Sequence, residues 1–249
     1  MSILGAIIVP HPPLIIPAVG RGREVQATID AYQATAEQVA AWKPEVLIIT
    51  SPHQIMYADY FHISPGRGAA GDMSAFGAAQ TKLRVEYDAP LRREIIRRAE
   101  AAGLRAGTLG ERDPSLDHGT FLPLYFLHEA GLDCPILRIG LSGFSPLDHY
   151  RLGQCIAQAV DALGRRAVFV ASGDLSHKLR NDGPYGYTPE GPEFDRQITE
   201  AMAAGDFLRF LTMDPALCER AAECGLRSFQ IMAGALDGQA VESKLLSYE

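Results

Sequence analysis

Two hydrophobic periods alternate along the first fifty residues. Ile3–Val9 and Val46–Thr50 are unbroken apolar runs rich in β-branched residues, the pattern of strands buried on both faces. Between them Val25, Ile29, Tyr32, Ala36 and Val39 recur at steps of four and three, which lines one face of an amphipathic helix. Pro44 forbids its continuation. The result is a βαβ unit, whose crossover is expected to be right-handed. The alternation then continues. A strand is expected over Leu83–Tyr87, helices over Pro90–Ala102 (ended by Gly103) and Gly119–Ala130, and a strand over Pro135–Leu141. A helix over Leu147–Leu163, closed by Gly164, precedes a strand at Ala167–Ala171. The last third reads as helical, about Glu193–Ala203, Phe207–Leu211 and Leu226–Leu236, before a closing strand at Val241–Leu246. These elements predict an α/β fold, a single domain over residues 1–249 with a central mixed, mostly parallel β-sheet flanked by helices.

Composition narrows the function classes. The 23 basic and 30 acidic residues give a net charge of −7, which disfavours nucleic acid or an anionic membrane as partner. No apolar run approaches the ~20 residues that a bilayer requires, and Ile3–Val9 is too short for a signal segment. A soluble, cytoplasmic protein is expected. Cys134, Cys155, Cys218 and Cys224 contain no CxxC pair, so reduced thiols are expected rather than a zinc ribbon or a disulfide framework.

The seven histidines are the informative residues. His11 follows the first strand, His53 the second, and His177 follows Ala167–Ala171 in Ser172-Gly173-Asp174-Leu175-Ser176-His177. All three therefore lie beyond the carboxyl ends of buried strands, where open α/β sheets bind ligands. Pro10, Pro12 and Pro52 stiffen the backbone beside His11 and His53. Asp117 reads as the N-cap of a helix, placing His118 at its positive end. His62 reads as a sheet residue, His128 as a half-buried helical residue and His149 as helical, all three structural. For a carboxylate partner, Glu223 and Asp174 both stand in suitable loops, and spacing does not choose between them.

Two neutral imidazoles and one carboxylate on one side of an octahedral Fe(II) leave three positions open, enough for the two oxygens of a catechol together with O2. Further histidines outside that set suit the proton transfers of ring opening. A zinc hydrolase is a less favoured reading, because it would often need only one spare acid or base.

The segments Pro10-His11-Pro12-Pro13, Ser51-Pro52-His53, Asp117-His118-Gly119-Thr120-Phe121-Leu122-Pro123-Leu124 and Ser172 to His177 resemble, in order, the motifs of class III extradiol ring-cleavage dioxygenases. That is the superfamily of the catalytic subunit of protocatechuate 4,5-dioxygenase. The resemblance spans nearly the whole chain. It implies a non-haem Fe(II) site with His11, His53 and Glu223 as ligands, His177 as the acid/base and His118 as a second histidine of the active site. It also implies a small aromatic substrate of catechol or aminophenol type, O2 as co-substrate, and an oligomer that sometimes includes a small second subunit. Tyr57, Tyr60, Phe121, Tyr185 and Tyr187 are candidates to stack on the ring. Tyr185 and Tyr187 lie in a Gly- and Pro-rich loop over residues 181–192, a candidate lid.

In the related Memo-like branch a cysteine in a Cys-Gly context takes the third ligand place, and here Glu223 and Cys224 stand side by side. The alternative reading is therefore a Memo-like metal-binding protein without ring-cleavage activity, since a thiolate ligand favours softer metals.

Overall fold

In the computed structural model, which describes residues 3–20 and 25–249, the centre of the molecule is a four-stranded parallel sheet. Its strands are β1 (Ile3–Val9), β2 (Val46–Ser51), β7 (Ile136–Gly140) and β8 (Ala167–Ser172), in the order β1-β8-β2-β7. Every residue of β2, β7 and β8 is buried, including Arg138 in the middle of β7 and the polar ends Thr50, Ser51 and Ser172. Isolated bridges extend the sheet on the β7 side, with Ile63 antiparallel to Ile139 and Tyr87 parallel to Ile136. The sheet is thus mixed at its margin and parallel at its heart.

Each strand feeds two cores, because successive side chains point to opposite faces. Leu47, Ile49, Val168 and Val170 pack with Tyr32 and Val39 of α1 (Gln26–Trp42) and Phe121 of α3 (His118–Glu129). On the other face Ile48, Phe169 and Ala171 join α2 (Ala89–Ala101), α4 (Pro146–Ala162), α5 (Glu190–Ala204) and α7 (Leu226–Ala235). Each fully buried aliphatic or aromatic side chain stabilises this arrangement by about 1.5–3 kcal/mol. Helix α7 crosses α4 with almost no separation. A Cβ on Gly234 would run into the carbonyl of Tyr150, and one on Gly153 into that of Ile231.

The boundaries and stops follow local chemistry. Lys43 takes the left-handed conformation (φ 52°) where α1 ends before Pro44, and the Asp117 carboxylate accepts the N–H of Thr120 at the start of α3. Three elements differ from the sequence expectation. A hairpin of β4 (Gly68–Met73) and β5 (Ala78–Glu86) replaces the single short strand expected at Leu83–Tyr87. Its first strand, Gly-Ala-Ala-Gly-Asp-Met, lacks the β-branched and aromatic residues that mark strands. A short helix, α6 (Pro215–Ala221), starts behind the Asp214 cap. Val241–Leu246 forms no strand: Val241, Leu245 and Leu246 stay 40–48% exposed, so strand pairing there would bury no apolar face. Instead the tail is tied by Ser243 to the Met202 carbonyl and by Tyr248 to Asp195. Residues Phe61–His62 (β3) and Ala106–Gly107 (β6) pair in parallel beside this framework. His128 is exposed rather than half-buried, on the outward face of the last turn of α3.

His149 is fully buried at the start of α4 and plays two backbone roles. Its Nδ1–H donates to the Ser145 carbonyl at 2.9 Å, and its Nε2 accepts the Ser142 N–H at 3.4 Å. Only neutral imidazole can do both. Burial lowers its pKa to about 4. Between about pH 6.5 and 4 the unfolded chain therefore binds a proton that the folded chain refuses, and stability falls as pH falls through that window. The shift from 6.5 to about 4 corresponds to about 3 kcal/mol at most. Denaturant unfolding measured from pH 7 to pH 4 is expected to show this loss. His149→Gln, which keeps a donor and an acceptor but does not titrate, is expected to flatten the slope. An unchanged slope in that variant would remove His149 from the account.

Candidate active site

The site is assembled at the carboxyl ends of the central strands. Val9 is in register with Ser172 and Thr50 with Ala171, so β1, β8 and β2 stop at one level and their following loops meet. His11 is buried. Its Nε2 lies 3.0 Å from the Nε2 of His53. His118, the first residue of α3, stacks at a tilt on His53 with ring centroids 3.9 Å apart, and its ring is 5.4 Å from that of His11. Asp117 fixes this corner. Its Oδ1 accepts the Ser51 hydroxyl at 2.6 Å and the Thr120 N–H at 2.9 Å, while Ser51 Oγ accepts the His53 N–H at 3.1 Å. Behind Asp117, fully buried Arg138 bonds Glu111, Ser64 and the Ser115 carbonyl at 2.6–2.8 Å.

The opposite wall comes from the β8 loop and the start of α7. Gly173 and Gly225 pack backbone against backbone with no room for a Cβ, and the Asp174 carbonyl accepts the N–H groups of Cys224 and Gly225. Asp174 Oδ1 accepts the His11 N–H at 2.7 Å, and its Oδ2 lies 3.6 Å from Nε2 of both His11 and His177. Cys224 Sγ is 3.8 Å from His11 Nε2 and accepts the Asp174 N–H at 3.2 Å. His177 donates from Nδ1 to the Ala222 carbonyl at 2.6 Å. Ala222 takes the left-handed conformation (φ 54°), which costs an alanine about 1–2 kcal/mol.

These surroundings sort the histidines by charge. Burial holds His11 down to about 4, and burial also lowers His53 and His118, each helped by the other imidazoles. All three are neutral at pH 7. His177 moves the other way, because the Asp174 carboxylate and then the Ala222 carbonyl favour its protonated form. Burial opposes ionisation of Asp174, yet His177, His11 and a backbone N–H hold it below the ordinary carboxylate range. Burial and the Asp174 charge push the Cys224 thiol up to about 12.

Two groups of side chains among the described residues could hold a metal ion, with ligand atoms within 4.8 Å of one another: His11, His53 and His118, and His11, Asp174 and Cys224. Glu223 is in neither. Its Oε2 accepts the Leu226 N–H at 2.7 Å, capping α7, and burial raises its pKa. Donors about 2.1 Å from one ion and at right angles are about 3.0 Å apart, which matches the His11 and His53 nitrogens. The separations of 3.6 Å and 3.8 Å to Asp174 and Cys224 correspond to angles of about 120° at such an ion.

Of the aromatic candidates, Phe121 is buried in the core. Tyr57 and Tyr60 pack edge to face on each other, and Tyr60 accepts the Leu109 N–H. Tyr185 is 60% exposed with its ring 5.0 Å from that of His177, and Tyr187 bridges to Leu179. Sequence reading missed Phe76, at the tip of the β4–β5 hairpin, whose ring meets His118 edge-on at 5.5 Å. Its only signal was an aromatic flanked by the small residues Ser74, Ala75 and Gly77.

Comparison with known proteins supplies the lineage. Residues 5–249 match the family described as the catalytic LigB subunit of aromatic ring-opening dioxygenase. Protein CA_C1420 of Clostridium acetobutylicum is 34% identical, over 100% of this chain and 55% of that protein. The 2-aminophenol 1,6-dioxygenase beta subunit of a Pseudomonas species is 24% identical, over 99% of this chain and 90% of the subunit. An Escherichia coli 2,3-dihydroxyphenylpropionate/2,3-dihydroxicinnamic acid 1,2-dioxygenase is 29% identical, over 68% of this chain and 54% of the enzyme. The chain thus spans about half the length of the first and last of these relatives. Among solved structures, the uncharacterized protein JW3007 of Escherichia coli K12 shares the fold, with a TM-score of 0.50 and 16% identity over 84% of this chain and 83% of that one. On the match over residues 5–249, the chain belongs to the family of catalytic LigB subunits of aromatic ring-opening dioxygenases.

Proposed function

We propose that this protein is a metal-dependent dioxygenase that opens an aromatic ring bearing two adjacent hydroxyls, or a hydroxyl and an amino group. In this reading Fe(II) is held by His11, which both candidate groups share, with His53 from one group and the Asp174 carboxylate from the other closing onto the ion. The observation that carries it is the meeting at His11 of two candidate ligand groups, His53 with His118 and Asp174 with Cys224, the His11 and His53 Nε2 atoms being 3.0 Å apart. Family membership supports the reaction class, and the two named dioxygenase relatives support the substrate class. A bound Fe(II) would supply the one-electron chemistry that lets O2 react with the ring.

The chain's own residues then divide the remaining work. His177, whose protonated form Asp174 favours, turns Nε2 toward that carboxylate and can take up or give back a proton there. His118 is neutral at a helix N-terminus and can hydrogen-bond a substrate oxygen. Phe76 beside His118 and Tyr185 beside His177 would form the faces against which a planar ring lies, with Tyr187 on the same loop as Tyr185. Assembly into an oligomer, with or without a small second subunit, belongs to the same proposal; the Pseudomonas relative is itself named a beta subunit.

A second reading has its own observation. Cys224 Sγ is within ligand distance of the same site while the Glu223 carboxylate caps α7. A thiolate–imidazole centre built from His11, His53 and Cys224 would favour a softer metal and no ring cleavage.

Anaerobic loading with Fe(II) or Zn(II), followed by O2 uptake on a panel of catechols and aminophenols, tests the choice. Ring opening is expected with Fe(II) alone. His11→Ala and His53→Ala are expected to lose the metal, Asp174→Asn to lose iron, and Glu223→Gln to keep it. Metal loss in Cys224→Ser together with absent O2 uptake would establish the second reading instead. His177→Gln is expected to retain iron and lose about 10²–10⁴-fold in kcat; full turnover there would end its proposed role. Phe76→Ala is expected to raise KM about tenfold with little change in kcat, as steady-state kinetics would show.

A further inference from the structure

Helix α3 contains a proline in its second turn, Pro123. A proline has no N–H, so the carbonyl four residues earlier receives no helical hydrogen bond. Here that carbonyl belongs to Gly119. It is buried beside β8 and accepts a hydrogen bond from the Ser172 hydroxyl at 2.6 Å. Two oxygens that close require a proton between them, and the hydroxyl has only one.

Ser172 Oγ also lies 2.9 Å from His11 Nδ1. With its single proton committed to Gly119, the hydroxyl can only accept from His11. Nδ1 therefore carries the imidazole proton, and Nε2, which faces His53, Asp174 and Cys224, holds a lone pair. We infer that Pro123, through the Gly119 carbonyl and the Ser172 hydroxyl, sets the tautomer of His11, and that both are positioning residues for the metal-binding nitrogen. This inference rests on the preceding reading only in taking His11 Nε2 as a ligand. Ser172 itself cannot drift, since Ser228 Oγ donates to its carbonyl and all of β8 is buried.

The balance of hydrogen bonds predicts how the relay breaks. In Pro123→Ala a new N–H at residue 123 competes for the Gly119 carbonyl, which can accept two hydrogen bonds, and so weakens its hold on the Ser172 proton and lets the hydroxyl donate to Nδ1 in a share of the molecules. The proton of His11 then moves to Nε2, where it blocks a metal. In Ser172→Ala nothing accepts from Nδ1, with the same result. Ser172→Thr keeps the hydroxyl.

The test pairs two measurements on the whole chain. Nitrogen-15 NMR of labelled histidine in the metal-free protein reports the His11 tautomer, and a Zn(II) titration reports affinity. The wild type and Ser172→Thr are expected to hold the Nδ1–H form. Ser172→Ala is expected to shift toward Nε2–H and bind Zn(II) about 10–100-fold more weakly. Pro123→Ala is expected to shift the same way while its thermal midpoint rises, because alanine favours a helix interior; a merely structural proline would not separate these. An unshifted tautomer in Ser172→Ala would overturn the inference, and one in Pro123→Ala would remove the proline from it. Failure of the wild type to bind Zn(II), with the tautomer shifts intact, would instead overturn the metal-site reading and leave the relay standing.

Discussion

The whole site depends on parallel strands that end together. β1, β8 and β2 are neighbours in the sheet and their last residues are in register, although β8 begins more than a hundred residues after β2 ends. Side chains from three distant parts of the chain therefore emerge at one level. The contact of Gly173 with Gly225 then brings a fourth segment across the strand ends. Because both contact points are backbone, the loop carrying Asp174 and the turn carrying Cys224 are clasped by main-chain hydrogen bonds rather than by adaptable side chains. Close approach of this kind is also why α7 lies so near α4, with Gly234 and Gly153 at their crossing.

Much of this was legible in the sequence, and the reason is physical. A strand buried on both faces is apolar along most of its length, so its end is sharp, and a histidine just beyond it stands out. That logic located His11, His53 and His177. The Asp117 cap located His118. The candidate for a third ligand was less legible, because Glu223 and Cys224 are adjacent and at a helix start adjacent side chains point in different directions. One of them bonds the free N–H groups of the helix and the other faces the strands, a choice made by three-dimensional packing. Asp174 was visible only as a competitor on the His177 loop. Phe76 was hidden because its hairpin begins with a strand almost devoid of β-forming residues. The tail at Val241–Leu246 misled for the opposite reason: apolar residues alone do not make a strand where no partner edge would bury them.

Below the histidines lies a buried ion pair whose cost is considerable. Arg138 and Glu111 are both withdrawn from water, and such pairs seldom gain more than their desolvation takes away. What this one does is structural specification. Arg138 draws together the Ser115 carbonyl, Ser64 and Glu111 and stands 3.9 Å from Asp117. The loop leading into α3 is thereby fixed, and with it the Asp117 carboxylate that holds Ser51 and starts the helix.

The charge state of the cluster explains how it can be formed in advance of any cation. Burying several ionised groups together without partners would be prohibitive. Here burial keeps His11, His53, His118 and the Cys224 thiol uncharged, the Asp174 carboxylate faces His177 and favours its protonated form, and the Asp117 carboxylate is held by Ser51 and Thr120. Most of the donor atoms are thus uncharged as they stand, and their lone pairs cost little to hold together. A divalent ion entering such a site would be met by neutral nitrogen donors and a carboxylate, and would lower the thiol pKa by its own field. Pre-organisation and cation affinity therefore come from the same property: donor atoms that burial has kept uncharged.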